Sequence, residues 1–484
     1  MTKRHLRHLR HMRPLRHLAV LVALLFFAAA CGQKEGVHTA GSGELPEIVI
    51  ESSGGGFGPG AAEGSSTGAQ TGAAQPGGGG AAGSSGGGAA GGGGESGGAG
   101  GGAAAGGLTL SGSNRTGVSD DLLRVAVHAP VTGAAPLPAV AFEQARDLYW
   151  RYVTELQGQT VLGRSRVEVS FKDDKYTPNT AIQACRELAA DAFLLVGGGG
   201  TDQIQACGQY AEQAGVPYLS AGVTEQGLQG LNWYFAASMS YQQQGALLAQ
   251  YVKTAFPGKK VGAIITDTPN FDDAVRGWED GVARQGLNYF GTLRHPKGNN
   301  SWITSFASDM KSAGVEVLFM LTAPTDYIQF AQQAGVQDYR PQFVGVGISM
   351  GLNAVLGAGC PDVTGGIFFS PFPGLDWARQ NEPAYFQSGS QLGVPTDDLG
   401  FALWGLAKTQ HEMFKRYEQT FGSTDLTRED FVAMLARQEG VQSGVFPQLS
   451  YTPENHFGAS QVHVLQADCA TGEYKTLAAF ASGF

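Results

Sequence analysis

The chain has 484 residues, a formal charge of −10, 15% charged residues and 73 glycines. The acidic balance argues against a nucleic-acid footprint, and five cysteines without CxxC or Cys/His spacing suggest no metal site. The length exceeds one typical core, so more than one folded unit is expected.

The N-terminus opens with Lys3, Arg4, Arg7, Arg10, Arg13 and Arg16, followed by an apolar run over 18–30 and then Ala28-Ala29-Ala30-Cys31-Gly32. A basic segment, a short apolar segment and small residues make a secretory signal over 1–31, too short to remain as a membrane span. The cysteine after small residues resembles the lipobox of bacterial lipoproteins. That likeness implies diacylation of Cys31 and a lipid anchor on the outer face of the cytoplasmic membrane. Ala28 departs from the leucine usual there, and an ordinary cleavage site is the alternative.

Residues 32–120 are dominated by Gly, Ala and Ser, and roughly half the positions in 51–107 are glycine. Such a segment cannot bury enough apolar surface to offset the cost of ordering, so a disordered tether is expected, with an r.m.s. span on the order of 50 Å. The LPEIVIE stretch, 45–51, is its one apolar interruption.

From residue 121 the pattern changes to strands alternating with helices. Strands are expected over 123–130, 167–172, 192–196 and 216–220, with a fifth over 235–237; helices are expected over 140–155, 180–188 and 241–255. After Pro257-Gly258-Lys259 the rhythm restarts: strands over 260–266, 288–293, 315–321, 342–346 and 366–372, and helices over 272–285, 301–312, 325–334 and 398–420. Alternation at this spacing predicts right-handed crossovers and parallel sheets. The fold class is therefore α/β: two similar lobes, each a parallel sheet flanked by helices, hinged as a clamshell. The lobes are assigned to 121–240 plus 366–450 and to 241–365 plus 451–484. Ligands of such sheets sit beyond the carboxyl ends of the strands.

The junction DAFLLVGGGGTDQIQ, 191–205, is strand, glycine turn and helix. At such a helix start free N–H groups point outward and favour an anion, while glycine lets a ligand approach the backbone. Thr201 and Asp202 stand where an N-cap is expected. A nucleotide loop fits less well, because no Lys-Ser/Thr follows and the run comes after the third strand.

Four cysteines remain beside Cys31. Of three possible pairings the favoured one joins Cys185 to Cys207, on successive helices, and Cys360 to Cys469; four buried thiols are the alternative. Gly347-Ile348-Ser349-Met350-Gly351 matches G-x-S-x-G after a strand, and His411, His456 and His463 lie downstream. With no HGGG-like segment upstream, a serine hydrolase using Ser349 is the least favoured reading, and no catalytic residue is assigned.

VAVHAPVTG, ACRELAADAFLLVGGGGT, AGVPYLSAGVTEQGL, KKVGAIITDTPNFDDAVRGWEDG and FVGVG occur in this order. The series resembles extracytoplasmic solute-binding proteins of the leucine/isoleucine/valine-binding family, with the type I periplasmic-binding fold. The resemblance implies a monomer without cofactor that binds a small molecule and docks on ABC permease subunits; a sensory protein of the same fold is the alternative. It places the ligand carboxylate against Gly200 and Thr201 and against Gly222 and Thr224. Members that bind amino acids carry an acid where this chain has Gly347, so either another acid substitutes, with Asp267 as the candidate, or the ligand has no ammonium. Tyr241 and Phe271 are expected to close over the ligand; Tyr327 and Trp404 are weaker candidates. For each of these the alternative is a cap or core packing.

Overall fold

A computed structural model describes residues 108–484 apart from Ile348. The expected signal, Cys31, the LPEIVIE stretch and nearly all of the tether lie outside the described residues.

Two sheets organise the fold. The first holds β1 (Leu122–Ala129), β2 (Arg166–Asp173), β3 (Leu194–Gly197), β4 (Tyr218–Ser220) and β5 (Tyr234–Ala236) in the order β2-β1-β3-β4-β5, all parallel. The helices α1 (Pro178–Ala189) and α2 (Thr201–Ala214) follow β2 and β3. Val125 and Val127 point to one apolar cluster and Ala126 to another, so β1 is buried on both faces, as a parallel strand between helical layers must be.

The chain then passes through α3 (Tyr241–Ala255) into β6 (Lys260–Asp267), α4 (Asp272–Gln285), β7 (Asn288–Pro296), α5 (Ile303–Ser312), β8 (Val317–Leu321), α6 (Pro324–Val336) and β9 (Gln342–Val346). Strands β10 (Ile367–Ser370), β11 (Val462–Asp468) and β12 (Glu473–Ala481) complete a second sheet, ordered β12-β11-β10-β9-β8-β6-β7. Its strands β7 to β10 run parallel; β11 and β12 are antiparallel.

Four details differ from the expected organisation. The fold class is as expected, two mostly parallel sheets flanked by helices; the second sheet departs from it only at its edge, because the chain returns after α7 (Asp398–Phe421) and α8 (Arg428–Leu435) and ends as the antiparallel hairpin β11–β12, to which the sequence reading assigns no strand. The strand over 366–372 was assigned to the first lobe, but Phe368 pairs with Gly345 of β9, so the crossing back comes after Ser370. The ordered part also begins before residue 121: the backbone N–H groups of Ser111 and Gly112 donate to the Asp430 carboxylate (3.0 and 3.1 Å), and Arg115 pairs with Asp425 at 2.6 Å. These polar contacts to the region around α8 hold a segment that has little apolar content. The helix expected over 140–155 is broken into π, α and π stretches between Ala141 and Leu156.

Disulfides join Cys185 to Cys207, tying α1 to α2, and Cys360 to Cys469. Cys185 and Cys207 lie close to His128, but they are bonded to each other and both nitrogens of the ring are engaged, by Asp174 and the Tyr218 hydroxyl.

Candidate functional site

The strand ends of the two sheets face one cavity of about 1230 Å³, measured out to its open mouth. One wall is the β3–α2 junction. A side chain at Gly197 would collide with the Tyr218 hydroxyl beneath it, and Gly200 sits at φ +78, which an L side chain adopts only under strain. Gly200, not Thr201 or Asp202, occupies the N-cap position, and it makes no side-chain cap. Thr201 is therefore the first helical residue, and the cap alternative for it does not apply. It lines the cavity with Gly200, so the uncapped start of α2 opens onto that space.

The second expected anion loop is already occupied. The Gly222 N–H donates to Ser238 Oγ at 2.7 Å, so Gly222 lines the cavity without a free donor. The Thr224 hydroxyl donates to Asp273 Oδ2 at 2.9 Å, and the Glu225 N–H donates to the same oxygen. Thr224 is fully buried and lies outside the cavity lining. The protein's own carboxylate, carried in the first turn of α4, takes the donors expected to hold a ligand.

Across the cavity, Asp267 points the wrong way. Alternation along β6 turns Thr266 inward and Asp267 outward, where its side chain is 64% exposed and pairs with Arg294 at 3.2 Å. Phe271 and Tyr241 do line the space and stack on each other, ring centroids 5.9 Å apart. Gly347 lies at φ +96, and a Cβ there would stand 2.9 Å from the Tyr241 hydroxyl. An acid at this position would have to share its space with the Tyr241 hydroxyl. Burial pushes the Tyr241 hydroxyl up to about 12, against a hydrogen bond with Thr201 that lowers it.

Sequence reasoning missed most of the second wall. Lys297, after β7, forms an ion pair with Asp202 of α2 on the opposite wall, and its ammonium stands 4.2 Å from the centre of the Tyr176 ring. Asn270 also donates to Asp202. Tyr176 and its neighbour Lys175 both have positive φ, 58 and 54, held by backbone N–H bonds to Asp174 and Asp173 at 3.0 Å each. A bulky residue in that conformation is rare and costs about 1 kcal/mol or more. On α6, Asp326 accepts from the Thr322 hydroxyl at 3.2 Å, and burial raises its carboxyl. His295 Nε2 lies 2.9 Å from the same hydroxyl while its ring stacks on Trp302, and burial lowers it to about 4. Only the Lys-Gly turn after an expected strand hinted at any of these.

Tyr327 and Trp404 are core residues, packed against Phe343 and Tyr149 respectively. The G-x-S-x-G run follows β9 as a short 3-10 turn; Ile348 and the Ser349 side chain lie outside the described residues. His411, His456 and His463 bond to the Tyr149 hydroxyl, the Tyr234 carbonyl and the Val445 carbonyl, and none lines the cavity.

A family model described as periplasmic binding protein matches residues 123–473. The chain is similar to Leu/Ile/Val-binding protein homolog 7 of Brucella suis biovar 1, 27% identical over 305 residues, 60% of this chain and 69% of the relative. Among solved structures it resembles a fatty acid ABC transporter substrate-binding protein from Thermomonospora curvata: 18% identity, TM-score 0.63, 77% of this chain and 95% of that one. It also resembles a solute-binding protein of an ABC transporter from Rhodopseudomonas palustris BisB5 in complex with 3,4-dihydroxy benzoic acid: 17% identity, TM-score 0.61, 75% and 98% covered.

Proposed function

The chain belongs to the periplasmic binding protein family, and from that premise we propose that it is the lipid-anchored solute-binding component of an ABC importer, capturing a small carboxylate-bearing or similarly polar solute between its lobes. The observation that carries this reading is the pairing of walls. The uncapped start of α2 with the Thr201 hydroxyl faces the Lys297 ammonium across one cavity, and Tyr241 and Phe271 supply an apolar surface beside them. A ligand touching both walls stabilises the closed arrangement by its differential contacts. Solved relatives named for a fatty acid and for a dihydroxybenzoate support a carboxylate on an apolar body.

Tyr241 in the space before Gly347 speaks against the ammonium arrangement of a standard branched-chain amino acid. Asp326 supports a second reading, in which an amino group meets that carboxyl. A thermal-shift screen of carboxylates, amides, amino acids and nucleobases on the full-length chain separates them. Carboxylates without an amino group are expected to raise the melting temperature; a strong shift with leucine alone selects the second reading. Radiolabelled fatty-acid incorporation lost in Cys31→Ala tests the anchor. Co-purification with permease subunits tests transport against a sensory role on the same clamshell.

A further inference from the structure

The floor of the cavity, beside the crossing between the lobes, holds a group that neither wall uses. Gln244 lies one turn into α3, after Tyr241, and is 2% exposed. Its amide orientation is fixed, because Nε2 donates to the Met239 carbonyl at 2.7 Å. That leaves Oε1 as an acceptor with almost no exposed surface, and among the described residues no donor reaches it. Gln244 is one of the residues lining the cavity. A buried amide oxygen without a donor is costly, by roughly 1–3 kcal/mol, so its persistence here needs a reason.

We propose that Gln244 selects the solute: its Oε1 accepts a hydrogen bond from a hydroxyl, amide or amine carried on the body of the ligand, in addition to the carboxylate. This rests on the carboxylate reading of the cleft and narrows it. The neighbouring Ser238 Oγ already accepts from the Gly222 N–H and turns its own hydrogen to the Met239 carbonyl at 3.4 Å. A ligand bearing a donor satisfies the amide oxygen on closure. One lacking a donor traps it unpaired, and sites built around a polar partner reject analogues without it far more strongly than apolar pockets reject a missing methylene.

The test uses the full-length chain and matched probes: benzoate with hydroxybenzoates and its carboxamide-substituted form, and isocaproate with its hydroxy acid and leucine. Affinities are measured by calorimetry for wild type and for Gln244→Met, which keeps the length and removes the acceptor. In wild type the donor-bearing member of a binding pair is expected to be favoured by about tenfold or more. In Gln244→Met that preference should fall to within about threefold, through weaker binding of the donor-bearing member. If the variant does not fold, the wild-type pairs still decide, because they need no substitution. Binding without preference in wild type, or a preference that survives in Gln244→Met, overturns the assignment and leaves the carboxylate reading standing. Failure of every carboxylate to bind overturns that reading and the assignment with it.

Discussion

The α2 wall of the cleft is mostly backbone, whereas the wall across from it is mostly side chain. Gly197 to Gly200 and Thr201 form one continuous segment, in which a glycine turn and an uncapped helix start define the surface. Thr266, Lys297 and Thr322 come from the ends of β6, β7 and β8, 31 and 25 residues apart, and Asp326 from the start of α6 just after Thr322. A backbone wall resists substitution at any one side chain. A side-chain wall concentrates its chemistry in a few replaceable groups: in this cleft it carries the Lys297 ammonium and the Asp326 carboxyl, whereas the α2 wall adds the Asp202 carboxylate to its backbone. Substitutions on the two sides should therefore differ in kind as well as in size.

The largest effect is expected where the second wall does rely on backbone. Gly347→Glu introduces the acid seen in amino-acid binders, but it must adopt φ +96 and displace the Tyr241 hydroxyl from a 2.9 Å approach. Left-handed strain and overpacking together should lower stability by about 2–4 kcal/mol, read as a fall in melting temperature or in the denaturant midpoint. If the variant instead keeps its stability and gains leucine binding, the glycine is merely a deleted acid and the steric account fails.

Next is Lys297→Met. The ammonium is partly buried, its side chain 31% exposed and that of Asp202 21%, so stability should change little while affinity for a carboxylate probe falls about tenfold or more. The salt dependence of binding should flatten as well. Unchanged affinity would mean that the second wall contributes shape only, which would reverse the contrast between the two sides.

This contrast also sets what the sequence could disclose. The α/β rhythm was readable because periodicity is local, and so was the VGGGGT junction, whose glycines and helix start are adjacent in the chain. Tyr241 and Phe271 were reachable through aligned segments. Asp267 was misread by one place, since pleat direction decides whether Thr266 or Asp267 faces the cleft and a strand buried on both faces gives no alternation to fix it. Thr224 was misread because its partner Asp273 lies 49 residues away, and no local pattern shows that a carboxylate of the protein already fills the loop. Lys297 and Asp202 stand 95 residues apart, and their pairing exists only once both sheets are in place. β11 and β12 escaped for the same reason: they are an antiparallel addition at the sheet edge, outside the repeating unit.

On the α2 side, Thr201→Val should weaken carboxylate binding about fivefold, the loss of one hydrogen bond worth roughly 1 kcal/mol, with the melting temperature preserved. The effect is smaller than at Lys297 because the N–H groups of the helix start remain. An affinity equal to wild type would leave the backbone alone as the anion contact on that wall.

The smallest effect concerns acid. His295 is neutral in the fold; its Nδ1 lies 3.1 Å from the Pro296 carbonyl and can donate to it, so Nε2 is left as an acceptor between the Thr266 and Thr322 hydroxyls, 3.2 and 2.9 Å away. Burial lowers this ring from the ordinary 6.5 to about 4, so the unfolded chain takes up the proton first. The associated stability is complete above about pH 6.5 and is lost as the pH falls through about 4; at pH 6 the loss is about 1 kcal/mol or less. Asp326 has the opposite sign, since its raised carboxyl favours the protonated fold as the pH drops. His411 and His463, lowered to about 4 and about 3, share the sign of His295 but sit away from the cavity. The wild-type melting profile therefore mixes all of these, and the informative quantity is the difference from His295→Gln. That difference should shrink between pH 7.5 and pH 5; a constant difference would mean that folding does not shift the His295 ring. Protonation of His295 turns Nε2 from an acceptor into a donor facing the Thr266 and Thr322 oxygens, while the Thr322 hydrogen stays with Asp326, so acid rearranges the side-chain wall at these two hydroxyls.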